Sequence, residues 1–160
     1  MNEAPAFRVR AATVCDADAI AALIVAAFSS YPKPLDPPSS ALKDTPETVR
    51  TKLASHGAVI AESGGRAVGC LLFSPEDGNV LYLGRLAVDT DWRRRGVARA
   101  LVGHAEAEAR RRGLHRLRIR VRIPLVSNQQ LFKSCGFVEV SRETHPGYVE
   151  PTSIRMEKTL

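Results

Sequence analysis

The stretch "LYLGRLAVDTDWRRRGVARALVG", residues 81–103, joins two apolar segments through a turn that carries three consecutive arginines. The segment before the turn predicts a strand, and the apolar spacing after it predicts a helix from about Gly96 to Arg112. A helix N-terminus presents unpaired backbone N–H groups and the positive end of the helix dipole, and both attract anions. Because Gly96 has no Cβ, a bulky anion can approach these amides closely. The stretch therefore predicts a site for a phosphate-bearing ligand held mainly by main chain.

Two common phosphate-binding patterns do not fit these residues. A P-loop has Lys and then Ser or Thr after its second glycine, whereas "GVAR" stands here. A dinucleotide fingerprint has G-x-G-x-x-G and an acidic residue about 20 positions further on, where this chain has Arg116. What remains is a strand, the turn R-x-x-G-x-A formed by Arg93, Gly96 and Ala98, and a long helix.

Apolar periodicity and turn residues divide the rest of the chain into further elements. Strands are predicted at 7–11, 58–62, 66–75, 79–88, 114–123, 137–145 and 152–160, and helices at 17–28, 46–55, 96–112 and 128–135. Asp16 and Thr45 are the predicted N-caps of the first two helices. The Pro- and Ser-rich segment 29–44 is predicted to be a long loop. The order β-α-α-β-β-β-α-β-α-β-β predicts an α/β (α+β) sandwich with a mixed sheet.

The composition limits the class of protein. The chain has 160 residues, 44% of them hydrophobic and 25% charged, which predicts a single domain over residues 1–160. It has no apolar run of about 18 residues, so no membrane span is predicted, and "MNEAPAFRVR" lacks the apolar core of a secretory signal. Cys15, Cys70 and Cys135 lack metal-ligand spacing and are predicted to be free thiols, so we expect a cytoplasmic protein with no metal.

Arginine contributes most of the net charge of +6 and is clustered at 93–95, at 110–112 and in "RLRIRVR", residues 116–122. Such clusters bind nucleic acid, an anionic cofactor or an acidic substrate, or they only keep a surface solvated. The alternation in the last cluster predicts a strand with one core face and one basic face. Nucleic acid is the least favoured of these ligands, because the chain lacks interleaved aromatic residues and a helix-turn-helix pattern.

The chain resembles the GNAT superfamily of acetyl-CoA-dependent N-acetyltransferases over about residues 6–160. The turn R-x-x-G-x-A after a strand ending "LAV" resembles the family's pyrophosphate-binding motif, and "SNQQLFKSCGF" (127–137) resembles its later N-x-x-L-[YF]-x-x-x-G-F segment. The resemblance implies a mixed, mostly antiparallel sheet of six to seven strands, splayed between strands 4 and 5, with about four helices. It also implies acetyl-CoA as cosubstrate, a small-molecule or peptide amine as acceptor, direct attack in a ternary complex, and a homodimer.

The resemblance carries over to individual positions. The backbone of the strand before the turn would bind the pantetheine arm, and the turn would bind the pyrophosphate. The residues concerned are Leu86, Ala87 and Val88 for the arm, and Arg93, Arg94, Arg95, Gly96, Val97, Ala98 and Arg99 for the pyrophosphate. Asn128 would contact the pantetheine region and Phe132 would pack beside the thioester. The backbone N–H of Ala87 or Val88 would stabilise the oxyanion. Acceptor specificity would come from the first two helices and the loop between them, which contains Tyr31.

The chain departs from the family pattern at both usual proton-transfer positions. Phe132 stands where many relatives have Tyr, and the fourth strand has Tyr82 about where they have Glu. The candidate proton carriers are Tyr82, together with His145 and Tyr148 in the loop "THPGYVEPTS" (144–153), and Glu62 is a further candidate base. Each of these residues also fits an ordinary surface position. A CoA-binding regulatory or degenerate module without transferase activity is therefore the alternative.

Overall fold

The computed structural model describes residues 6–160 and contains one sheet of seven strands. The strands are β1 (Arg8–Ala11), β2 (Ala58–Ser63), β3 (Arg66–Glu76), β4 (Val80–Val88), β5 (Arg116–Arg122), β6 (Val138–Glu143) and β7 (Ser153–Thr159). The α-helices are α1 (Ala17–Phe28), α2 (Pro46–Ser55), α3 (Val97–Arg111) and α4 (Val126–Ser134). The order of strands and helices along the chain is the predicted one.

The sheet is mixed, with the order β1-β2-β3-β4-β5-β7-β6. Every neighbouring pair is antiparallel except β4 and β5, which are parallel and are joined by α3 as the crossover. The prediction of a mixed, mostly antiparallel sheet of six to seven strands is therefore confirmed. No helix within residues 6–160 is both long and apolar enough to cross a bilayer.

Helices cover both faces of the sheet and form two cores. One core joins α1 and α2 to one face through side chains such as Ile20, Ile24 and Val49. The other lies beneath α3, whose buried stripe has the predicted members Val97, Leu101, Val102, Ala105 and Ala109. Apolar residues three and four positions apart give a helix one buried side, so the sequence alone places α3 against the sheet.

The helix starts were predicted with mixed success. Thr45 caps α2 as predicted, because its hydroxyl accepts from the Thr48 N–H while the Thr48 hydroxyl accepts from the Thr45 N–H. Asp16 is the N-cap residue of α1, as predicted, but its side chain makes no capping hydrogen bond to the helix. A short 3₁₀ turn precedes the helix, and the Asp16 carboxylate instead accepts from the Thr13 N–H and from Arg10.

Several predicted boundaries were also too wide or were displaced. The strands predicted at 114–123 and 137–145 are shorter, at Arg116–Arg122 and Val138–Glu143, and α4 begins at Val126, two residues earlier than predicted. The segment 29–44 is not wholly irregular, since Ser40–Lys43 forms a 3₁₀ turn. Ala41 in that turn is fully buried against α1 and α2. The burial of Ala41 helps to hold the C-terminal end of the loop 29–44 in place.

β4 and β5 splay apart at the position implied by the resemblance. The two strands pair only from Val80 to Tyr82, although β4 continues to Val88 and β5 to Arg122. Beyond Tyr82, the edge of β4 that faces β5 therefore has no strand to pair with. The main chain of this part of β4 is available to a ligand.

A β-bulge in β4 turns the strand where the two strands diverge. Arg85 and Leu86 both fall opposite Leu71 in the register, and Arg85 has a left-handed φ of 55°. Because of the extra residue, Leu83 packs on the α3 side whereas Ala87 packs on the α1 side. Strict alternation would place Leu83 and Ala87 on one face. The bulge thus decides which side chains of β4 face each core.

Candidate active site

A cleft of about 1340 Å³ opens where β4 and β5 diverge. Its wall combines β4, the turn before α3, helix α4, the loop between α1 and α2, and the segment after β6. The predicted site residues that line it are Tyr82, Leu86, Val88, Arg93, Arg94, Gly96, Val97, Ala98, Arg99, Asn128, Phe132 and His145. Ala87, Arg95 and Tyr148 are not among the lining residues. Most of the predicted site is thus assembled around one opening.

The turn before α3 has the backbone of an anion site. The first intrahelical bond of α3 runs from the Ala100 N–H to the Gly96 carbonyl at 3.0 Å, so the N–H groups of Val97, Ala98 and Arg99 have no intrahelical acceptor. Gly96 has a φ of 81°, and a Cβ built on it would meet no atom within 4 Å. The glycine therefore serves the left-handed backbone, and the space beside it is open.

The arginines of the turn have three different environments. Arg93 donates to the Ser30 hydroxyl at 2.9 Å and to the Val88 carbonyl at 3.4 Å, so it ties the end of β4 to the end of α1. Arg94 lines the cleft with a left-handed φ of 61°. Arg95 lies over the ring of Trp92, 5.0 Å from its centroid, outside the cleft lining. Only part of the charge that the sequence concentrates here faces the opening.

Helix α4 supplies an apolar and an amide side chain to the cleft. Phe132 is almost fully buried and meets Phe137 edge-to-face at 5.5 Å between ring centroids. Asn128 lines the cleft near Tyr31, and this contact lowers the pKa of the Tyr31 phenol, although burial raises it by more. Phe132 has no exchangeable proton, so α4 itself brings no acid at this position.

Two of the three candidate proton carriers line the cleft. The ring of Tyr82 lies beneath the Arg120 guanidinium, 5.1 Å from it. His145 is hydrogen-bonded through Nδ1 to the Thr152 hydroxyl, and its Nε2 has no partner among the described residues. This arrangement leaves Nε2 as the nitrogen that a substrate can reach.

Tyr148, the third candidate proton carrier, and Glu62, the further candidate base, lie outside the cleft lining. Tyr148 packs edge-to-face against His145 at 6.5 Å and its hydroxyl binds the Asp36 carboxylate, which raises the pKa of Tyr148. Glu62 forms ion pairs with Arg8 and Arg10 where β1 meets β2, so it is engaged elsewhere.

The comparisons with known proteins identify the family of the chain. Residues 20–137, well over half of the chain, match the model of the acetyltransferase (GNAT) family. The chain belongs to the GNAT family. It is therefore an N-acetyltransferase by family, an acyltransferase. The chain has no detectable match among curated protein sequences.

Solved acetyltransferase structures share the fold, two of the following three over nearly the whole chain. The IAA acetyltransferase from Bacillus cereus ATCC 14579 superposes with a TM-score of 0.72 at 18% identity, over 97% of this chain and 100% of that one. The ribosomal-protein-S18-alanine N-acetyltransferase from Escherichia coli gives 0.73 at 20% identity, over 96% and 94%. A protein from Bacillus anthracis str. Ames, solved in complex with acetyl coenzyme A, gives 0.62 at 18% identity, over 66% and 63%.

Sequence reasoning missed a charged cluster on the α2 side of this cleft. Arg85, at the bulge, donates from Nε to Asp44 at 2.7 Å and from Nη2 to the Ser40 hydroxyl at 3.1 Å. Lys52 of α2 lies 3.5 Å from the same carboxylate, and burial together with the Arg85 charge lowers its pKa. Arg85 is far in sequence from Ser40, Asp44 and Lys52, and the four residues form no recognisable motif. No sequence pattern therefore predicts that they meet.

Arg122 is a second feature of the cleft that the sequence did not distinguish. Its Nη2 donates to the Pro37 carbonyl at 2.6 Å, and its Nε is buried with no hydrogen-bond partner in the described part of the chain. The alternation of β5 placed Arg122 on the basic face but did not separate it from the other arginines. Among residues 6–160, no group of three or more His, Cys, Asp or Glu is arranged to hold a metal ion.

Proposed function

We propose that this GNAT acetyltransferase moves an acetyl group from acetyl-CoA to a primary amine by direct attack in a ternary complex. The proposal depends on one observation. The N-terminus of α3, with three free amides beside Gly96, opens on the same cleft as the unpaired edge of β4. A diphosphate at the helix end and an extended arm along the strand edge would suit these two backbone features.

The residues of the turn fit the pyrophosphate of acetyl-CoA. The amides of Val97, Ala98 and Arg99 supply donors, and the helix dipole of α3 adds positive potential. Arg94 and Arg99 line the cleft and supply charge, while Arg93 holds the turn against β4 and α1. We assign Arg95 a supporting part through its contact with Trp92.

β4 and α4 fit the rest of the cosubstrate. The main chain of Leu86, Ala87 and Val88 would bind the pantetheine arm as an added strand, although the Val88 carbonyl already accepts from Arg93. Asn128 lines the same cleft and would reach the arm from α4. Phe132 would give the thioester an apolar neighbour. The family's thioester is reactive enough that holding it against an amine supplies much of the rate.

Acetyl transfer also needs an oxyanion donor and groups that move protons. We assign the oxyanion contact to the backbone N–H of Ala87 or Val88. Tyr82 and the Nε2 of His145 are the proton carriers that the cleft offers, and Thr152 holds the His145 ring through Nδ1. Tyr148 packs on His145 and is assigned the positioning of that ring.

A CoA-binding module without transferase activity is the second candidate. The observation that favours it is the chemistry at two positions, since Phe132 has no hydroxyl and β4 carries no carboxylate. Only the first candidate function, acetyl transfer, requires an amine acceptor, which would be a small molecule or a peptide. The cytoplasm, for which the three free thiols are the support, and a homodimer remain predictions under both.

Calorimetry and thiol release test the proposal in two steps. Titration with acetyl-CoA should show binding at physiological salt, and its absence would remove both candidates. Release of the CoA thiol in the presence of a broad panel of amines should then exceed release without amine. Binding without amine-dependent release from any member of the panel would favour the module.

A further inference from the structure

The four outward-facing arginines of β5 do not have equivalent partners. Arg116 lies 3.4 Å from Glu157, Arg118 lies 2.6 Å from Glu157, and Arg120 lies 3.0 Å from Glu143. Arg122 has no carboxylate at ion-pair distance among the described residues. The basic face predicted from the sequence is therefore paired with carboxylates at three positions and, among the described residues, left without an ion pair at one.

The uncompensated guanidinium is partly enclosed. Arg122 donates to the Pro37 carbonyl at 2.6 Å, and its buried Nε has no acceptor. Burial lowers the pKa of Arg122, although Asp36 and Tyr148 lie near enough to oppose this. Asp36 itself binds the Tyr148 hydroxyl. A half-buried charge without an ion-pair partner is unfavourable, and an arriving carboxylate would reduce that penalty.

Arg122 lies beside the groups assigned to proton transfer. Ser153 of β7 pairs with Arg122 on one side and with Glu143 on the other, and His145 follows Glu143 by two residues. Arg122, Tyr82 and His145 all line the cleft. A ligand group at Arg122 would therefore share one opening with an amine placed for acetylation.

The charges around the acceptor side also favour an anion. The cleft is lined there by Lys52, Arg85, Arg120 and Arg122, and Glu143 is the one carboxylate among the described lining residues. Asp44 lies behind the lining, between Lys52 and Arg85, and offsets one of these charges. A polycationic amine would meet repulsion in this setting, whereas an amine that also carries a carboxylate would not.

We propose that the acceptor is an amine that also bears a carboxylate, and that Arg122 is the residue that selects it. This inference rests on the proposed function, because it names the substrate class of the same cleft. The guanidinium would donate charge-assisted hydrogen bonds to the carboxylate while the amine points toward the acetyl group.

The test offers each amine as the acid and as its amide, and kcat/KM is expressed per concentration of neutral amine, because amidation also lowers the pKa of the amine. Glycine, L-alanine, L-glutamate and glycylglycine are compared with their α- or C-terminal amides as acceptors of acetyl-CoA. The expected kcat/KM is at least about tenfold higher for the preferred acid than for its amide, the size of one good charged contact. Arg122→Gln should abolish that preference, and Arg122→Lys should keep part of it.

Arg116→Gln is the matched control, because Arg116 is on the same strand, is paired with Glu157 and does not line the cleft. It should keep the preference of the natural protein, and all variants should keep the affinity for acetyl-CoA. Equal kcat/KM for acids and amides in the natural protein would overturn the inference while leaving the proposed function standing. Failure to bind acetyl-CoA would instead remove the proposed function.

If no amine of the panel is acetylated, a binding measurement tests whether Arg122 contacts a ligand carboxylate. The N-acetyl forms of the same acids and amides are titrated into the CoA-bound protein, and the arginine Nε–H signals are followed by NMR. The signal lost in Arg122→Gln should shift with the acids and not with the amides. No shift with any acid, or equal shifts with both forms, would overturn the inference.

Discussion

Arg85 and Asp44 form an ion pair of 2.7 Å that ties the bulge of β4 to the loop before α2. The Asp44 side chain is only 6% exposed, and Lys52 approaches its other oxygen at 3.5 Å. One carboxylate thus holds two cations on the α2 side of the cleft, at the strand position where β4 turns. The pair connects the fold of β4 with the shape of the site.

Asp44→Asn should destabilise the protein by about 2 kcal/mol, because it leaves two half-buried cations facing each other without a counter-ion. Urea unfolding at neutral pH measures the change. Asp18→Asn is the matched control, since Asp18 pairs with Arg50 on the surface with 78% of its side chain exposed. If Asp44→Asn lost no more unfolding free energy than the control, the structural role assigned to the Arg85–Asp44 pair would be contradicted.

Gly96→Ala should weaken acetyl-CoA binding at least tenfold, because a methyl group would enter the space beside the free amides of α3. Calorimetry measures the affinity. Gly113→Ala is the control at the other end of the same helix, with a φ of 70° and equally open surroundings. Both changes impose similar left-handed strain, about 1 kcal/mol. Equal affinities of the two variants for acetyl-CoA would contradict the assignment of a phosphate site at Gly96.

Tyr82→Phe and His145→Gln should each lower kcat by about 100-fold, the usual effect of removing a group that transfers a proton. Tyr148→Phe should lower it less than about threefold, because the Tyr148 hydroxyl binds Asp36 and does not line the cleft. Steady-state rates over a range of pH check this order. Removing a group that transfers a proton should also change the shape of the pH–rate profile. A purely structural effect should instead lower the rate by the same factor at every pH.

The Arg10–Asp16 pair should make stability depend on pH. Two hydrogen bonds of 2.9 Å from Arg10 hold the pKa of Asp16 below its ordinary value of about 3.9. The stabilisation is therefore present above about pH 3.9 and is lost as the pH falls through the lower pKa of the folded state.

Asp16→Asn tests this dependence, because the amide oxygen can still accept from the Thr13 N–H while the charge is gone. The free energy of unfolding should fall by about 1 kcal/mol at pH 7, and the difference from the natural protein should shrink toward pH 3. Asp77→Asn, at an exposed turn, is the control and should show neither effect. A difference that stays constant from pH 7 to pH 3 would argue against the charged pair.

The local signals in the sequence were sufficient for most of the fold. The buried stripe of α3 follows from apolar residues three and four positions apart, and the Thr45 cap follows from a hydroxyl placed before Pro46. The Asp16 side chain makes no capping hydrogen bond because its carboxylate has a stronger partner, Arg10, on β1. A cap residue can be recognised from its neighbours in sequence. A residue elsewhere in the chain that binds the same side chain cannot be recognised in this way.

The sequence by itself determined the order of the elements, the glycine turn that leads into α3, and the substitution of Phe132 for a proton donor. All of these depend on residues close together in the chain, where backbone geometry and side-chain period act directly. The tertiary structure alone decided that Arg85 meets Asp44, that the bulge moves Ala87 to the α1 face, and that Arg122 has no carboxylate at ion-pair distance among residues 6–160. Such contacts arise from the packing of distant segments, and their energy is set by burial that no local pattern encodes.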